Sequence, residues 1–562
     1  MSRLVNRRIR LLLALLTFGF GGLFLRAAWL QGIRAQSLSR LGQTQQREDV
    51  TLPASRGTIF DRTGVQLALG ETATTVYADP LQIRDPRRIA LAAGRALGID
   101  PAALLPKLAD SSRGFVYVER QADPARAAAL ARKRLPGLGF YPEERRRYPQ
   151  ETVAAQVLGY AGVDNKGLAG IELQLDPWLA GEAGHQTIVK DPTGRVINVL
   201  NDRPERQGED VFLTLDHTIQ ANTEEVLRQT VRSWSAKSGT AIVLDPRTGA
   251  ILALAVEPGY DANHFPVASH DRQRNLAVTD TYEPGSTFKV VTVAGALSEH
   301  LVTPWTAFTL PPSIQVADRV IHDAEPRGTV RYSVAQIMAK SSNVGLVTLA
   351  EMLGRQRVAS WISRFGFGRK TGIDFPGESG GIVLPLKKWS GSTIGNVPIG
   401  QGIAVTPVQM AAAYGAIANH GIWSRPHLVD HVAGGGRPSL HRRRILSRLV
   451  AAQLMTMLKG VVEEGTGIRA AIPGYQVAGK TGTAQKPDSH GGYATGRYVA
   501  SFVGMVPASR PRLVVLVQVD EPHGQTSGGD VAAPAFEQIA SFDLRYLEIP
   551  PDGTAVTSSS SG

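Results

Sequence analysis

The chain of 562 residues contains no cysteine. This absence excludes disulfide bonds and cysteine-based metal sites, and it leaves the redox compartment of the protein undecided. The 12 histidines do not form a ligand pattern such as HExxH, so no metal or other cofactor is predicted. Nucleic-acid-binding motifs are absent too, and the net charge of +12 fits an anionic membrane surface or polymer at least as well as a nucleic acid.

One long apolar run lies near the start of the sequence. Residues 11–25 carry no charge, Arg26 interrupts, and residues 27–30 resume the run, which gives about the 20 residues that a bilayer requires. A cleaved signal peptide is the competing interpretation, but no small-x-small site follows the run. Because four arginines precede it, we predict a basic cytoplasmic tail over 1–10, an uncleaved transmembrane anchor over 11–30 and an exported remainder.

The length is too great for one hydrophobic core and indicates two or three domains. Residues 31–206 mix Ala- and Arg-rich helical patches with charged runs, whereas a strand-rich texture begins near Gly208. These differences predict one domain over 31–206 and another over 207–548. The Ser-rich tail over 549–562 is predicted to be disordered.

The second domain carries two pairs of strand-like segments. Segment 238–244 is joined to 250–256 through Asp245-Pro246-Arg247-Thr248-Gly249, and 498–506 is joined to 512–519 through 507–511; the first connection is typical of a hairpin. The segment that ends in Lys480 adds a fifth strand, and long helical patterns lie between the two pairs. This order predicts an α+β domain in which helices cover a five-stranded antiparallel sheet.

A possible catalytic pair lies in Ser286-Thr287-Phe288-Lys289. On a helix, residues three apart share a face, so the Ser286 hydroxyl and the Lys289 amine can come within hydrogen-bond range. A serine needs a neighbouring base, and a lysine becomes one when burial or a second cation lowers its pKa. An SxxK pattern alone is weak, because chance gives roughly one or two in a chain of this length.

Two further motifs follow in sequence order. The first is Lys340-Ser341-Ser342-Asn343 and the second is Gly479-Lys480-Thr481-Gly482-Thr483. The order SxxK, SxN, KTG is the set found in penicillin-binding proteins and serine β-lactamases. A second KTG, Lys370-Thr371-Gly372, lies in a Gly-rich stretch typical of a loop, whereas Lys480 ends an apolar run typical of a strand edge. We therefore assign the motif to Lys480.

The three motifs, the apolar run and several flanking words together resemble the class B penicillin-binding proteins, and within them the division-specific transpeptidases. The flanking words include Arg56-Gly57-Thr58-Ile59-Phe60-Asp61-Arg62-Thr63-Gly64, Glu283-Pro284-Gly285 and Val405-Thr406-Pro407-Val408-Gln409-Met410. The resemblance covers nearly the whole chain. It implies that residues 31–206 form an elongated pedestal of the dimerisation type and that residues 207–548 form the transpeptidase domain.

The resemblance also implies a reaction, the crosslinking of peptidoglycan stem peptides that end in D-Ala-D-Ala. Ser286 would attack the penultimate D-Ala carbonyl with neutral Lys289 as the base, and terminal D-Ala would leave. Ser341 would relay a proton to the leaving nitrogen, and Asn343 would bind the substrate amide or hold Lys289. Lys480 would supply positive potential that favours neutral Lys289.

Three residues of the KTG strand are expected to bind substrate. Thr481 and Thr483 would hold the substrate carboxylate, and the backbone amides of Ser286 and Thr483 would form the oxyanion hole. Gly482 would leave room for substrate against the strand, although a purely structural role is equally plausible. A β-lactam presents the same acyl group in a ring and should acylate Ser286.

The resemblance further implies a single-pass protein of the inner (cytoplasmic) membrane, with its catalytic domain outside the cytoplasm. A membrane glycosyltransferase of the FtsW type and other division proteins are the expected partners, besides the donor stem peptide, the amine acceptor and β-lactams. Mobility of the 485–497 loop, which contains three glycines, is also predicted.

Several other functions share part of this pattern. An elongation-type or sporulation-type class B transpeptidase would carry the same motifs. A serine β-lactamase needs neither an anchor nor a long pedestal, and a β-lactam sensor would show several spans and a zinc-protease segment. A non-catalytic scaffold would not need the complete set of motif residues. We therefore expect a transpeptidase, with septal synthesis during cell division as its role.

Overall fold

The structure, a computed structural model, describes residues 2–33, 47–190, 196–436, 439–488 and 491–552. The chain divides into two compact units, one formed by 1–55 with 181–208 and the other by 56–180 with 209–562. Of the tail predicted to be disordered, residues 553–562 lie outside the described residues.

The first unit contains one long helix and a small sheet. The helix spans Ser2–Ala28 and continues as a π-helical turn over Trp29–Ile33, so it includes the predicted basic tail as well as the predicted anchor. Its apolar side chains are exposed, and the stretch Val5–Gly32 is long and apolar enough to cross a membrane by length and composition. The sheet is antiparallel, with the strand order β1-β6-β7.

The strands are numbered in chain order. They are β1 (Arg47–Leu52), β2 (Ile59–Phe60), β3 (Gln66–Ala78), β4 (Val116–Ala122), β5 (Leu138–Arg147), β6 (Gly184–Lys190), β7 (Val196–Arg203), β8 (Val211–Leu213), β9 (Ser238–Leu244), β10 (Ile251–Glu257), β11 (Ala307–Leu310), β12 (Ser313–Val316), β13 (Arg319–His322), β14 (Val330–Ser333), β15 (Ile422–Ser424), β16 (Val429–Val432), β17 (Arg442–Arg444), β18 (Ala478–Pro487), β19 (Tyr493–Val506) and β20 (Leu513–Asp520).

The α-helices of the second unit are named by their bounds. They are Pro86–Leu97, Pro101–Ala109, Pro124–Ala131, Ala155–Leu158, Gly170–Gln174, Asp176–Leu179, His217–Ser233, His270–Gln273, Leu276–Thr279, Lys289–Ser298, Val334–Ala339, Asn343–Leu353, Arg355–Phe365, Thr393–Asn396, Pro407–Ala418, Arg448–Glu463, Gly528–Val531 and Ala533–Tyr546.

The five-stranded antiparallel sheet predicted from the sequence is present, in the order β10-β9-β20-β19-β18. Helices Lys289–Ser298, Pro407–Ala418 and Arg448–Glu463 cover one face, and helices His217–Ser233 and Ala533–Tyr546 cover the other. Strands buried on both faces are expected to be apolar almost throughout, and β9, β10 and β20 are. The α+β prediction is therefore confirmed, and β18 is left at the edge of the sheet.

A second sheet contains strands from both sides of the predicted domain boundary at residues 206 and 207. Its order is β16-β8-β2-β3-β4, with β5 also paired to β3. Strand β2 comes from the Arg56–Gly64 word and pairs in parallel with β8, which follows residue 207 in the chain. Helices Pro86–Leu97, Pro101–Ala109 and Pro124–Ala131 cover β3 and β4 through one apolar cluster.

A buried ion-pair network fixes the position of the motif at residues 56–64. Arg56 Nε lies 2.7 Å from Glu172 Oε2, Arg56 Nη1 lies 2.6 Å from Asp176 Oδ1, and Arg146 Nε lies 2.7 Å from Glu172 Oε1. Tyr148 donates a further hydrogen bond to Glu172 Oε1 at 3.3 Å. Two stretches that are far apart in sequence, 56–64 and 167–180, are therefore fixed to each other through the carboxylates of Glu172 and Asp176.

Glu172→Ala should strongly destabilise the second unit. The substitution leaves Arg56 and Arg146 buried without their shared carboxylate, which should lower the free energy of unfolding by about 3–5 kcal/mol. The midpoint of thermal unfolding, followed by near-UV circular dichroism, should fall accordingly. The control is Glu71→Ala, which removes an exposed partner of Arg145 and should cost about 0–1 kcal/mol. Equal effects of the two substitutions would contradict the importance of the network.

Candidate active site

The Ser286 motif forms a short 3-10 turn over Gly285–Phe288, and a buried helix begins at Lys289. Tyr414, from helix Pro407–Ala418, fixes the turn by donating a hydrogen bond to Thr287 O at 2.9 Å. Gly285 has φ +53°, and a Cβ atom there would lie 2.8 Å from Thr483 O. Glycine therefore allows the turn to approach strand β18 closely.

The Lys289 amine connects the first two motifs. Its Nζ atom hydrogen-bonds Ser341 O at 2.5 Å, Asn343 Oδ1 at 2.7 Å and Ser341 Oγ at 3.2 Å. Ser341 adopts a left-handed φ of +57°, a conformation that costs a non-glycine residue roughly 1–2 kcal/mol. In this conformation the Ser341 carbonyl accepts the hydrogen bond from the Lys289 amine. The half-buried Ser286 hydroxyl has no hydrogen-bond partner in the described part of the chain.

Lys480 places a second amine in the interior, on edge strand β18. Both Lys289 and Lys480 are fully buried, and the hydrogen bonds of Lys480 Nζ within the described ranges go to Thr481 O at 3.3 Å and Thr481 Oγ1 at 3.4 Å. Burial lowers the pKa of Lys480 to about 7. Burial, reinforced by the positive charge of Lys480, lowers the pKa of Lys289 well below its ordinary value.

The remaining KTG residues lie side by side on β18. Thr481 Oγ1 is 2.7 Å from Thr466 Oγ1, and Thr483 Oγ1 accepts a hydrogen bond from Gly528 N at 3.1 Å. Thr483 is exposed, whereas Thr481 and Gly482 are buried. The strand thus presents one accessible hydroxyl next to the Ser286 turn.

Sequence reasoning missed Asp323, which lies in no recognisable motif. It accepts hydrogen bonds from Arg327 Nε at 2.6 Å and from Val344 N and Ser342 Oγ at 3.0 Å. Burial opposes ionisation, but these donors hold the pKa of Asp323 below its ordinary value. Its negative charge raises the pKa of Lys289 and so opposes the effect of Lys480.

Glu283 and Tyr493 were also missed as contacts of the site. Glu283 Oε1 accepts a hydrogen bond from Gly402 N at 2.9 Å, and Tyr493 donates to Glu283 Oε2 at 3.1 Å. Tyr493 is the first residue of β19, so most of the 485–497 loop predicted to be mobile belongs to the end of β18 and the start of β19. Residues 489–490 of this loop lie outside the described residues. The motif Glu283-Pro284-Gly285 could have indicated Glu283. Its contact with Tyr493 joins residues 210 positions apart and therefore leaves no local pattern in the sequence.

The second KTG lies in a loop, as predicted. Glu378 accepts hydrogen bonds from Thr371 N at 2.5 Å, from Thr371 Oγ1 at 2.6 Å and from Gly372 N at 3.1 Å. Lys370 itself is exposed. The loop therefore differs from β18 in both burial and hydrogen bonding.

One group of possible metal ligands occurs among the described residues, formed by Asp61, Asp216 and His217. Asp61 Oδ2 lies 2.7 Å from His217 Nδ1 and accepts a hydrogen bond from His217 N, while Asp216 Oδ1 caps helix His217–Ser233. These bonds give the two carboxylates a structural role.

Comparisons with known proteins identify the family of this chain. Residues 239–541 match the penicillin-binding protein transpeptidase domain, and residues 51–213 match the penicillin-binding protein dimerisation domain. Penicillin-binding protein PbpB of Mycobacterium tuberculosis is 36% identical over 94% of this chain and 82% of its own length. Peptidoglycan D,D-transpeptidase FtsI of Escherichia coli K12 is 32% identical over 98% of this chain and 94% of its own.

A solved structure has the same fold. Penicillin-binding protein 3 from Mycobacterium tuberculosis, complexed with aztreonam, gives a TM-score of 0.71 at 30% identity and covers 90% of this chain and 98% of its own. The fold and the two matched domains define a penicillin-binding protein with a transpeptidase domain and a dimerisation domain. This chain belongs to the class B penicillin-binding proteins and resembles FtsI, as the sequence motifs indicated.

Gly482→Ala should disturb the contact between β18 and the Ser286 turn. The new Cβ would lie 2.4 Å from Ser501 Oγ and 2.9 Å from Pro284 O, so we expect a loss of about 1–3 kcal/mol in unfolding free energy, measured by thermal unfolding. The control is Gly460→Ala, in helix Arg448–Glu463, where a Cβ meets nothing within 4 Å. Because alanine favours helix, that variant should be unchanged or more stable.

Proposed function

We propose that this chain is a peptidoglycan D,D-transpeptidase that crosslinks stem peptides through a Ser286 acyl-enzyme. The observation that carries the proposal is the buried amine of Lys289, three residues after Ser286, which both Ser341 and Asn343 of the SxN motif hold by hydrogen bonds. The similarity to FtsI along 98% of the chain supports peptidoglycan as the substrate and septal synthesis during cell division as the role.

The contacts of Lys289 suit a neutral amine. A neutral amine has two N–H groups, and the two shortest contacts, to Ser341 O and Asn343 Oδ1, can take both. The lone pair then remains to accept a proton from a hydroxyl, either Ser341 Oγ at 3.2 Å or Ser286 Oγ. Burial and the positive charge of Lys480 lower the pKa of Lys289 and so favour this neutral form.

In acylation, Ser286 Oγ forms an ester bond with the penultimate D-Ala carbonyl carbon as its proton passes to Lys289. The C–N bond to terminal D-Ala breaks, and the proton reaches the leaving nitrogen through Ser341. An amine of a second stem peptide then attacks the ester, so that a new amide forms and Ser286 recovers its proton. A β-lactam ring offers the same carbonyl but keeps its leaving group attached, and the resulting acyl-enzyme persists.

The KTG strand binds the substrate in this mechanism. Lys480, Thr481 and Thr483 receive the terminal carboxylate, and the Ser286 and Thr483 amides stabilise the oxyanion. The close approach of Gly482 to Pro284 supports a spacing role, because a side chain there would close the gap between the turn and the strand.

We place a pedestal at 31–206 and the transpeptidase domain at 207–548, anchored by residues 11–30 with residues 1–10 in the cytoplasm. The exposed apolar helix and the basic residues ahead of it support a single-pass protein of the inner membrane whose catalytic domain lies outside the cytoplasm. An FtsW-type glycosyltransferase and other division proteins are the proposed partners, which the resemblance to FtsI supports.

The full-length protein in detergent should form a stable one-to-one adduct with a fluorescent penicillin, read by intact mass. Ser286→Ala should abolish the adduct, because it removes the attacking oxygen, whereas Ser298→Ala, at the far end of the following helix, should leave it intact. An adduct on Ser286→Ala would refute the nucleophile assignment. Rapid turnover to hydrolysed drug by the wild-type protein would instead indicate a β-lactamase.

Asp323→Asn should move the pH dependence of acylation to lower pH. The Asp323 charge raises the pKa of Lys289, so its removal lowers that pKa and increases the neutral fraction of the amine at a given pH. The ascending limb of the acylation rate against pH should therefore shift down.

Lys480→Gln provides the opposite control for this pH profile. The substitution removes a positive charge that lowers the pKa of Lys289, so the ascending limb of the acylation rate should shift to higher pH. Weaker substrate binding would lower the rate at every pH without moving this limb. Shifts of both variants in the same direction would contradict Lys289 as the base.

A further inference from the structure

The second KTG borders a cavity that the proposed reaction does not use. The cavity has a volume of about 250 Å³ and is lined by Arg369, Lys370, Thr371, Gln409, Trp423 and Arg443, together with part of the end of helix Arg355–Phe365. None of these residues has a role in the proposed acyl transfer. Three of them are cationic.

Neutral partners hold the two guanidinium groups in position. Arg443 pairs with Trp423 between β17 and β15, lies 4.8 Å from the Trp423 ring centroid, and donates from Nη1 to Arg364 O at 2.5 Å. Arg369 Nη2 donates to Ser363 Oγ at 2.8 Å, and Gln409 Nε2 donates to Arg369 O at 2.8 Å. Both arginines are therefore oriented without using a carboxylate.

The carboxylates of the adjoining loop bind backbone N–H groups and a hydroxyl rather than the arginines. Asp374 accepts hydrogen bonds from Leu428 N at 2.7 Å and Val429 N at 2.9 Å, and Glu378 accepts those of Thr371 and Gly372. Over the ranges that the structure describes, Arg364, Arg369, Lys370 and Arg443 form no salt bridge.

The electrostatics of Arg443 reflect this excess of positive charge. Burial, together with the positive charges of Arg369 and Arg364, lowers the pKa of Arg443 below its ordinary value. An anion in the cavity would relieve this repulsion.

We propose that this cavity binds a phosphoryl anion through Arg369 and Arg443, with Lys370 at its rim. A planar guanidinium can donate two parallel hydrogen bonds to one phosphate, which makes arginine well suited to this ligand. Several cations around one cavity favour a multiply charged anion over a single carboxylate. The phosphoryl group could come from a phospholipid headgroup or from a soluble phosphate compound.

The test uses the full-length protein in nanodiscs of zwitterionic phosphatidylcholine, titrated calorimetrically with inorganic pyrophosphate at constant ionic strength. We expect saturable binding, and a rise in Kd of about tenfold or more in Arg369→Gln/Arg443→Gln, since charge-assisted bonds are lost. The matched control is Arg87→Gln/Arg95→Gln, on an exposed helix face, which changes net charge equally and should leave Kd within about twofold.

A second arm identifies the source of the phosphoryl group. If a lipid headgroup fills the cavity, nanodiscs containing one third phosphatidylglycerol should weaken pyrophosphate binding, and Arg369→Gln/Arg443→Gln should remove that competition. If the ligand is soluble, the lipid change should have no effect. Absence of saturable binding, or an equal loss in the control pair, would overturn the proposal. Penicillin acylation should persist in both double variants, so this test is independent of the proposed function.

Discussion

The proposed active site depends on one constraint, the burial of two lysines. Lys289 and Lys480 are both fully buried, and neither is within salt-bridge distance of a carboxylate among the described residues. A buried ammonium without a counter-ion is costly, so burial lowers the pKa of both amines, and the positive charge of Lys480 lowers the pKa of Lys289 further. Ser341 and Asn343 hold the Lys289 amine by hydrogen bonds, and edge strand β18 carries the Lys480 amine.

The motif at residues 56–64, which begins with Arg56, has a structural explanation. Arg56 neutralises Glu172 and Asp176 in the interior, while Asp61 bonds to His217 at the start of the helix that covers the main sheet. Strand β2, between these two residues, pairs with β8. Residues 56–61 are thereby joined to residues 172–176 and 211–217 through charge pairs and strand pairing, which accounts for their distinctive residue types.

The two KTG stretches show that a motif acquires chemistry only from its surroundings. On β18 the lysine is buried beside Thr481 and its pKa falls to about 7. In the loop, Lys370 is exposed, and the backbone of Thr371 and Gly372 is bound to Glu378. There Lys370 and Thr371 border a cavity whose arginines form no salt bridge among the described residues, a setting that suits the anion binding proposed above rather than proton transfer.

The sequence by itself determined the apolar helix, the α+β class, the five strands and the motif residues, because these follow from local periodicity and from spacing within short words. It also distinguished Lys480 from Lys370, since an apolar run precedes only Lys480. The tertiary structure decided which groups meet: Lys289 with Ser341 and Asn343, Asp323 with Val344, and Glu283 with Tyr493. Those contacts join residues from 21 to 210 positions apart, and their effects on pKa depend on burial and distance, which one-dimensional patterns do not encode.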